Sequence, residues 1–201
     1  MLRRRLRACA APVILAIAMA GATPVSAQAP MPANASQAPA PVQRAVSFAA
    51  RPSATNGSLV LPLSAERDLA TRGAAMSRAD REAVSRALAS ARFSFNARQT
   101  LSLRGIGSWD RILVVGLGDN PDTAAWQAAG AAVGRALVNE PGVVTVLAAG
   151  LEATATAEFA TGLGIGEYRS DLHQAGRRNA AAPEPTTIVS GVSAAAEAIY
   201  A

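Results

Sequence analysis

No lysine occurs in the 201 residues, and reactive side chains are otherwise scarce, with one cysteine, Cys9, and one histidine, His173. The missing lysine removes Schiff-base chemistry, lysine general bases and lysine metal ligands. Cys9 lies within the segment Met1 to Ala27, so the rest of the chain forms no disulfide, uses no thiol nucleophile and binds no metal through thiolates. A serine hydrolase would have to use His173, yet no Gly-Xaa-Ser-Xaa-Gly elbow accompanies it. That histidine sits in a polar stretch ending in Arg177 and Arg178, which reads as an exposed loop. The carboxylates are scattered, without the Asp-Xaa-Asp or His-Glu-Xaa-Xaa-His spacing that gathers metal ligands. Aromatic residues make up only 4%, and Trp109 and Trp126 have no basic stripe around them. Both tryptophans are expected at the edges of a core, not in a base-stacking platform.

The formal charge of +5 overstates how basic the folded part is. Arg3, Arg4, Arg5 and Arg7 all fall between Met1 and Ala27, leaving 15 arginines against 14 acids. A nearly neutral chain offers no surface for a phosphate backbone, so no nucleic-acid partner is expected. Hydrophobic letters reach 50%, but 49 residues are alanine, so bulky core-forming side chains are fewer than that fraction suggests. Collagen, coiled-coil and polytopic membrane architectures all fit badly.

Residues 1–27 join a basic front to an apolar run from Val13 to Ala20 and a small-residue site at Val25, Ser26 and Ala27. That order is secretory signal grammar. The apolar part is shorter than the roughly 20 residues needed to span a bilayer, so cleavage is expected over anchoring, with no stable membrane span afterwards. The product would be exported, either periplasmic or secreted. Residues 28–43 are rich in proline, alanine and glutamine, carry no charge and show no periodicity, and so read as a disordered tether.

From residue 44 to 201, short β-branched runs alternate with alanine-rich helical windows, the pattern of a single α/β domain. Strands are expected at 44–50, 58–63, 99–103, 111–116, 143–148 and 186–189. Ile112, Leu113, Val114 and Val115 show no polar alternation, which marks an interior strand buried on both faces. Ser77 with Asp80 three residues later predicts a helix start, followed by Val84, Ala87, Leu88 and Ala91 at helical spacing. A second helix is expected after Asn120, with Pro121 at its first position and Trp126, Val133 and Leu137 on its apolar face. A third should run from Glu152 to Gly166. A fourth starts near Ser193 and is still in pattern at Ala201, as if the text were cut short.

The loop Gly116, Leu117, Gly118, Asp119, Asn120, Pro121 follows a buried strand and opens a helix, where a phosphate-binding loop would lie. Gly116, Gly118, Asp119 and Asn120 are therefore the candidate ligand-binding residues, for a nucleotide or ADP-ribose type of ligand. The alternative is a tight turn in which the glycines let the backbone reverse and Asn120 caps the helix. A second glycine cluster, Gly162, Gly164 and Gly166, allows close approach of another backbone. Tyr168, Arg169 and Asp171 beyond it form either a small polar site or a solvated pair. No catalytic residue and no metal ligand can be assigned.

The order of these segments resembles the amino-terminal domain of the leucyl aminopeptidases, also called cytosol aminopeptidases. The likeness rests on 111–118, the alanine- and glycine-rich helix at 128–137, the strand at 143–147 and the run 159–171, and it extends from about Val46 to Ala201. It implies a macro-like fold, a mixed central sheet flanked by helices, with 186–201 leading toward a second domain. It also implies that the family's zinc or manganese site belongs to a catalytic domain absent from this chain. The chain itself would then hold no cofactor, and its partners would be that catalytic domain or further copies of itself. Two features depart from the family: the export leader, and Ser170 where an aromatic is common.

Overall fold

The computed structural model describes residues 44–140, 142–168 and 183–201. The expected leader and tether, Pro141, and the segment holding Arg169, Ser170, Asp171 and His173 lie outside the described residues.

The described residues form six strands and five α-helices. They are β1 (Val46–Ala49), β2 (Ser58–Leu63), α1 (Asp68–Arg72), α2 (Arg78–Ser90), β3 (Thr100–Leu103), β4 (Arg111–Gly116), α3 (Thr123–Leu137), β5 (Val144–Leu147), α4 (Ala153–Glu167), β6 (Thr186–Val189) and α5 (Ser193–Tyr200). The strands form one sheet in the order β1-β6-β5-β2-β4-β3. All neighbours are parallel except β3, which runs antiparallel to β4 at one edge. The result is the expected mixed sheet flanked by helices. Among the described residues no helix is long and apolar enough to cross a membrane.

Strand β2 lies in the interior and all six of its residues are buried. Its alternation divides the core. Leu59, Leu61 and Leu63 pack with Leu69 of α1 and Val84 and Leu88 of α2, whereas Val60 joins Trp126, Val133, Leu137, Phe159 and Leu163 of α3 and α4. Pro62 sits in this strand without removing a ladder bond. The Ser58 N–H donates to Val143 and the Leu63 carbonyl accepts from Leu117, so even-numbered residues of β2 face β5. Pairing with β5 ends at Val60, so Pro62 has no ladder donor to lose.

Local chemistry sets the helix boundaries. Ser77 Oγ accepts the Asp80 N–H at 3.0 Å and starts α2, as the spacing predicted. The start of α3 corrects the sequence reading, because Asp122, not Asn120, is its cap and accepts the Ala125 N–H at 2.8 Å. Asn120 instead turns the loop with φ +49. Short α1 and the 3-10 turn Gly73–Ala75 were not expected. One turn of helix is too short for an apolar period to register, and Asp68 defines it by accepting the Ser64 and Ala65 N–H groups.

Candidate functional site

Strand β2 leaves the sheet through α1 and α2 on one face, and β4 leaves through α3 on the other. The carboxyl ends of these two strands therefore flank a reversal of winding, where open α/β sheets place ligands. The candidate residues Gly116, Gly118, Asp119 and Asn120 stand together there, in the loop after β4.

Three of this loop's backbone donors are already bonded. Gly116 N–H donates to Gln99 at 2.7 Å, Leu117 N–H to Leu63 at 3.0 Å and Gly118 N–H to Phe95 at 2.8 Å. Each partner is a backbone carbonyl. A side chain at Gly116 would run into the Asn96 carbonyl, and Gly118 turns with φ +77. Packing and turning thus account for both glycines. Asp119 and Asn120 are exposed, and the start of α3 already carries the Asp122 carboxylate.

Beside the loop, Arg72 at the end of α1 reaches across the sheet's edge and lies 5.8 Å over the Trp126 ring. It pairs with Asp68 at 3.1 Å. Burial pulls the guanidinium below its ordinary pKa, and Asp68 opposes that shift through its charge and hydrogen bond. Trp126 is buried and Trp109 half-buried against the α1–α2 side of the core, as expected of residues at core edges. The loop after β5 closes on α1, for a side chain at Gly150 would meet Thr71 at 2.9 Å.

At the opposite edge of the sheet, sequence reasoning missed a buried cluster. Arg44, read as the first residue of a strand, is nearly inaccessible, and its guanidinium pairs with Glu167 at 3.3 Å. It also donates to the carbonyls of Glu140, Gly142 and Glu184. One arginine thus ties together the start of β1, the turn before β5, the approach to β6 and the end of α4. Burial pushes the Glu167 carboxyl above its ordinary pKa, and Arg44 only partly offsets the rise. A signal was present in sequence: Glu167 is the one charge at the end of an otherwise apolar, glycine-rich run.

The second glycine cluster serves packing. Gly162 and Gly166 face the backbone of α3, as Gly130 and Gly134 face that of α4. Tyr168 is exposed. A groove of about 630 Å³ lies between α1 and α2, lined in part by Arg67, Arg81, Arg86 and Glu82, on the other face from α3 and α4. Among the described residues no three His, Cys, Asp or Glu side chains stand close enough to share a metal ion.

Residues 60–174 match the model of the cytosol aminopeptidase family, N-terminal domain. The chain belongs to the cytosol aminopeptidase family. A mutant of tomato leucine aminopeptidase shares the fold, with 19% identity and a TM-score of 0.56 over 77% of this chain and 34% of that one. This member of the family thus spans about a third of the length of that enzyme. The bottromycin maturation enzyme BotP in complex with Mn is similar at 20% identity and TM-score 0.46, over 71% of this chain and 28% of that one. A second BotP structure gives 20%, 0.48, 72% and 29%. No curated protein matches the chain.

Proposed function

We propose that these residues form a noncatalytic assembly domain that positions or oligomerises a metallo-aminopeptidase catalytic domain lying outside them. One observation carries this reading: the likeness is to the N-terminal domain of the family and to a third of a leucine aminopeptidase's length. The side-chain inventory supports it, with no lysine anywhere and a single histidine. The zinc or manganese chemistry then belongs to the catalytic domain, and this chain contributes placement and shielding of its entrance. The basic-then-apolar segment from Met1 to Ala27 supports export of the domain.

The test is hydrolytic. The purified full chain, supplied with manganese or zinc, is expected to leave leucine anilides intact. Metal-dependent turnover by this chain alone would overturn the reading.

A further inference from the structure

We propose that residues 92–99 form a strained strap that plugs the crevice at the carboxyl ends of β2 and β4, and that this strap opens locally while the sheet beneath it stays folded. Among the described residues four other than glycine hold a left-handed backbone, and three of them lie here: Arg92 (φ +49), Phe95 (φ +58) and Arg98 (φ +65). That backbone presses the Cβ atom toward the following carbonyl, a strain that glycine escapes. Strain of this kind persists where surrounding contacts impose it, and it gathers at segments that bind or move.

Each of the three conformations has an identifiable cause. Arg92 stands where glycine commonly ends a helix, and α2 closes around it: the Arg92 N–H donates to the Ala89 carbonyl at 3.1 Å and the Phe93 N–H to the Leu88 carbonyl at 3.0 Å. Arg98 is the third residue of a tight turn in which the Gln99 N–H donates to the Asn96 carbonyl at 3.0 Å, a position where positive φ calls for glycine. Between them, Phe95 turns its carbonyl onto the Gly118 N–H. The strap therefore fills the crevice closely. A side chain built at Gly116 would stand 2.7 Å from the Phe95 carbonyl oxygen, and one at Gly118 would stand 3.5 Å from Ala97. A carbonyl of the chain itself thus sits where a ligand's acceptor would meet the loop after β4.

Little holds the strap down. Phe93 is its one buried residue; Arg92, Ser94, Asn96, Ala97 and Arg98 are exposed, and Phe95 and Gln99 are half-buried. Its apolar anchor is the pair Phe93 and Phe95, whose rings meet edge to face with centroids 5.1 Å apart on the α1–α2 side of the core. Its polar closure is local, for the Gln99 side-chain carbonyl accepts the Ser94 hydroxyl at 3.0 Å and the Asn96 N–H at 3.3 Å. Segments with few buried apolar contacts and exposed hydrogen bonds open at lower cost than the core. Opening frees the Gly118 donor and relaxes the strained residues, whereas β4 keeps its pairing with β2 from Arg111 to Gly116.

Amide hydrogen exchange of the full chain, resolved by nuclear magnetic resonance at several urea concentrations below the unfolding transition, tests this. The Gly118 amide is expected to exchange at least about tenfold faster than that of Val60 in the centre of the sheet. Its rate should be nearly independent of urea, because opening so short a segment exposes little surface. Arg98→Gly, at an exposed position, relieves one strained residue and should slow Gly118 exchange about three- to tenfold. Gln99→Ala removes the side-chain closure and should speed it by about the same factor. A Gly118 amide that shares the rate and urea dependence of Val60 overturns the proposal, since the strap then unfolds only with the domain. An Arg98→Gly variant whose Gly118 exchange is unchanged or faster also overturns it, since the strap is then not strained.

Discussion

Gly130 of α3 lies directly against the carbonyl of Phe159 on α4, and a side chain built there would also stand 2.9 Å from the Leu163 nitrogen. The arrangement is reciprocal. A side chain built at Gly134 would stand 2.5 Å from the Leu163 carbonyl, while Gly162 and Gly166 face the carbonyls of Gln127 and Ala131. Each helix thus offers a glycine pair four residues apart to the other's backbone, and no side chain separates them. Gly130→Ala and Gly162→Ala should each cost about 2–3 kcal/mol, since the obstacle is backbone and cannot swing aside. Urea midpoints of the two variants, read against the parent, check the loss.

These glycines show what is legible in sequence and what is not. Their spacing signals a close helix approach, but not which helix will approach. The aliphatic runs at 58–63 and 111–116 are legible with their observed boundaries, because strands buried on both faces have no polar alternation to blur them. Strand order is invisible, since β1 pairs with β6 from opposite ends of the domain, Val46 beside Thr186, and no local pattern encodes that separation. Arg44 escapes notice because a buried arginine cannot be told from an exposed one without the carbonyls that surround it. The loop after β4 can be located, but the acceptors that bond it internally come from 95–99 and from Leu63, remote from it in sequence.

The Arg44–Glu167 pair should give the protein a recognisable pH dependence. Burial raises the Glu167 pKa in the folded chain above its ordinary 4.5, so the folded state holds this proton more tightly than the unfolded state. Its contribution to stability is then complete below about pH 4.5 and is lost as pH rises through the raised folded value. Glu167→Gln should gain on the parent as pH rises across that window. Arg44→Met leaves a buried carboxylate unpaired and should cost about 3–5 kcal/mol at pH 7, but less at pH 4, where the carboxyl is protonated. The double variant should recover much of the loss. Denaturant titrations at pH 4 and pH 7 measure all three.

Asp68 and Arg72 should respond unequally although they form one pair. The Asp68 carboxylate accepts the N–H groups of Ser64 and Ala65 at 2.8 and 3.1 Å as well as the guanidinium. Asp68→Ala leaves two backbone donors and a largely buried cation without a partner, and should cost about 3 kcal/mol. Arg72→Met keeps the aliphatic packing over Trp126 and removes the charge, so about 1 kcal/mol is expected. Thermal melts rank the two, and Trp126 emission should change in the Arg72 variant because the guanidinium lies over its ring.

The loop after β4 should behave as structure and not as a receptor for phosphate. An anion there would find the Gly116, Leu117 and Gly118 donors already bonded to carbonyls and would meet the Asp119 and Asp122 carboxylates. Calorimetry with ADP-ribose, or with inorganic phosphate, at millimolar concentration should give no saturable heat. The same residues should nonetheless matter for folding. Asp122→Ala removes the cap of α3 and should cost about 1 kcal/mol. Gly118→Ala places a side chain at φ +77 and should cost about as much. Saturable heat with ADP-ribose that Gly118→Val abolishes, in a variant still folded by circular dichroism, would make this loop a ligand site after all.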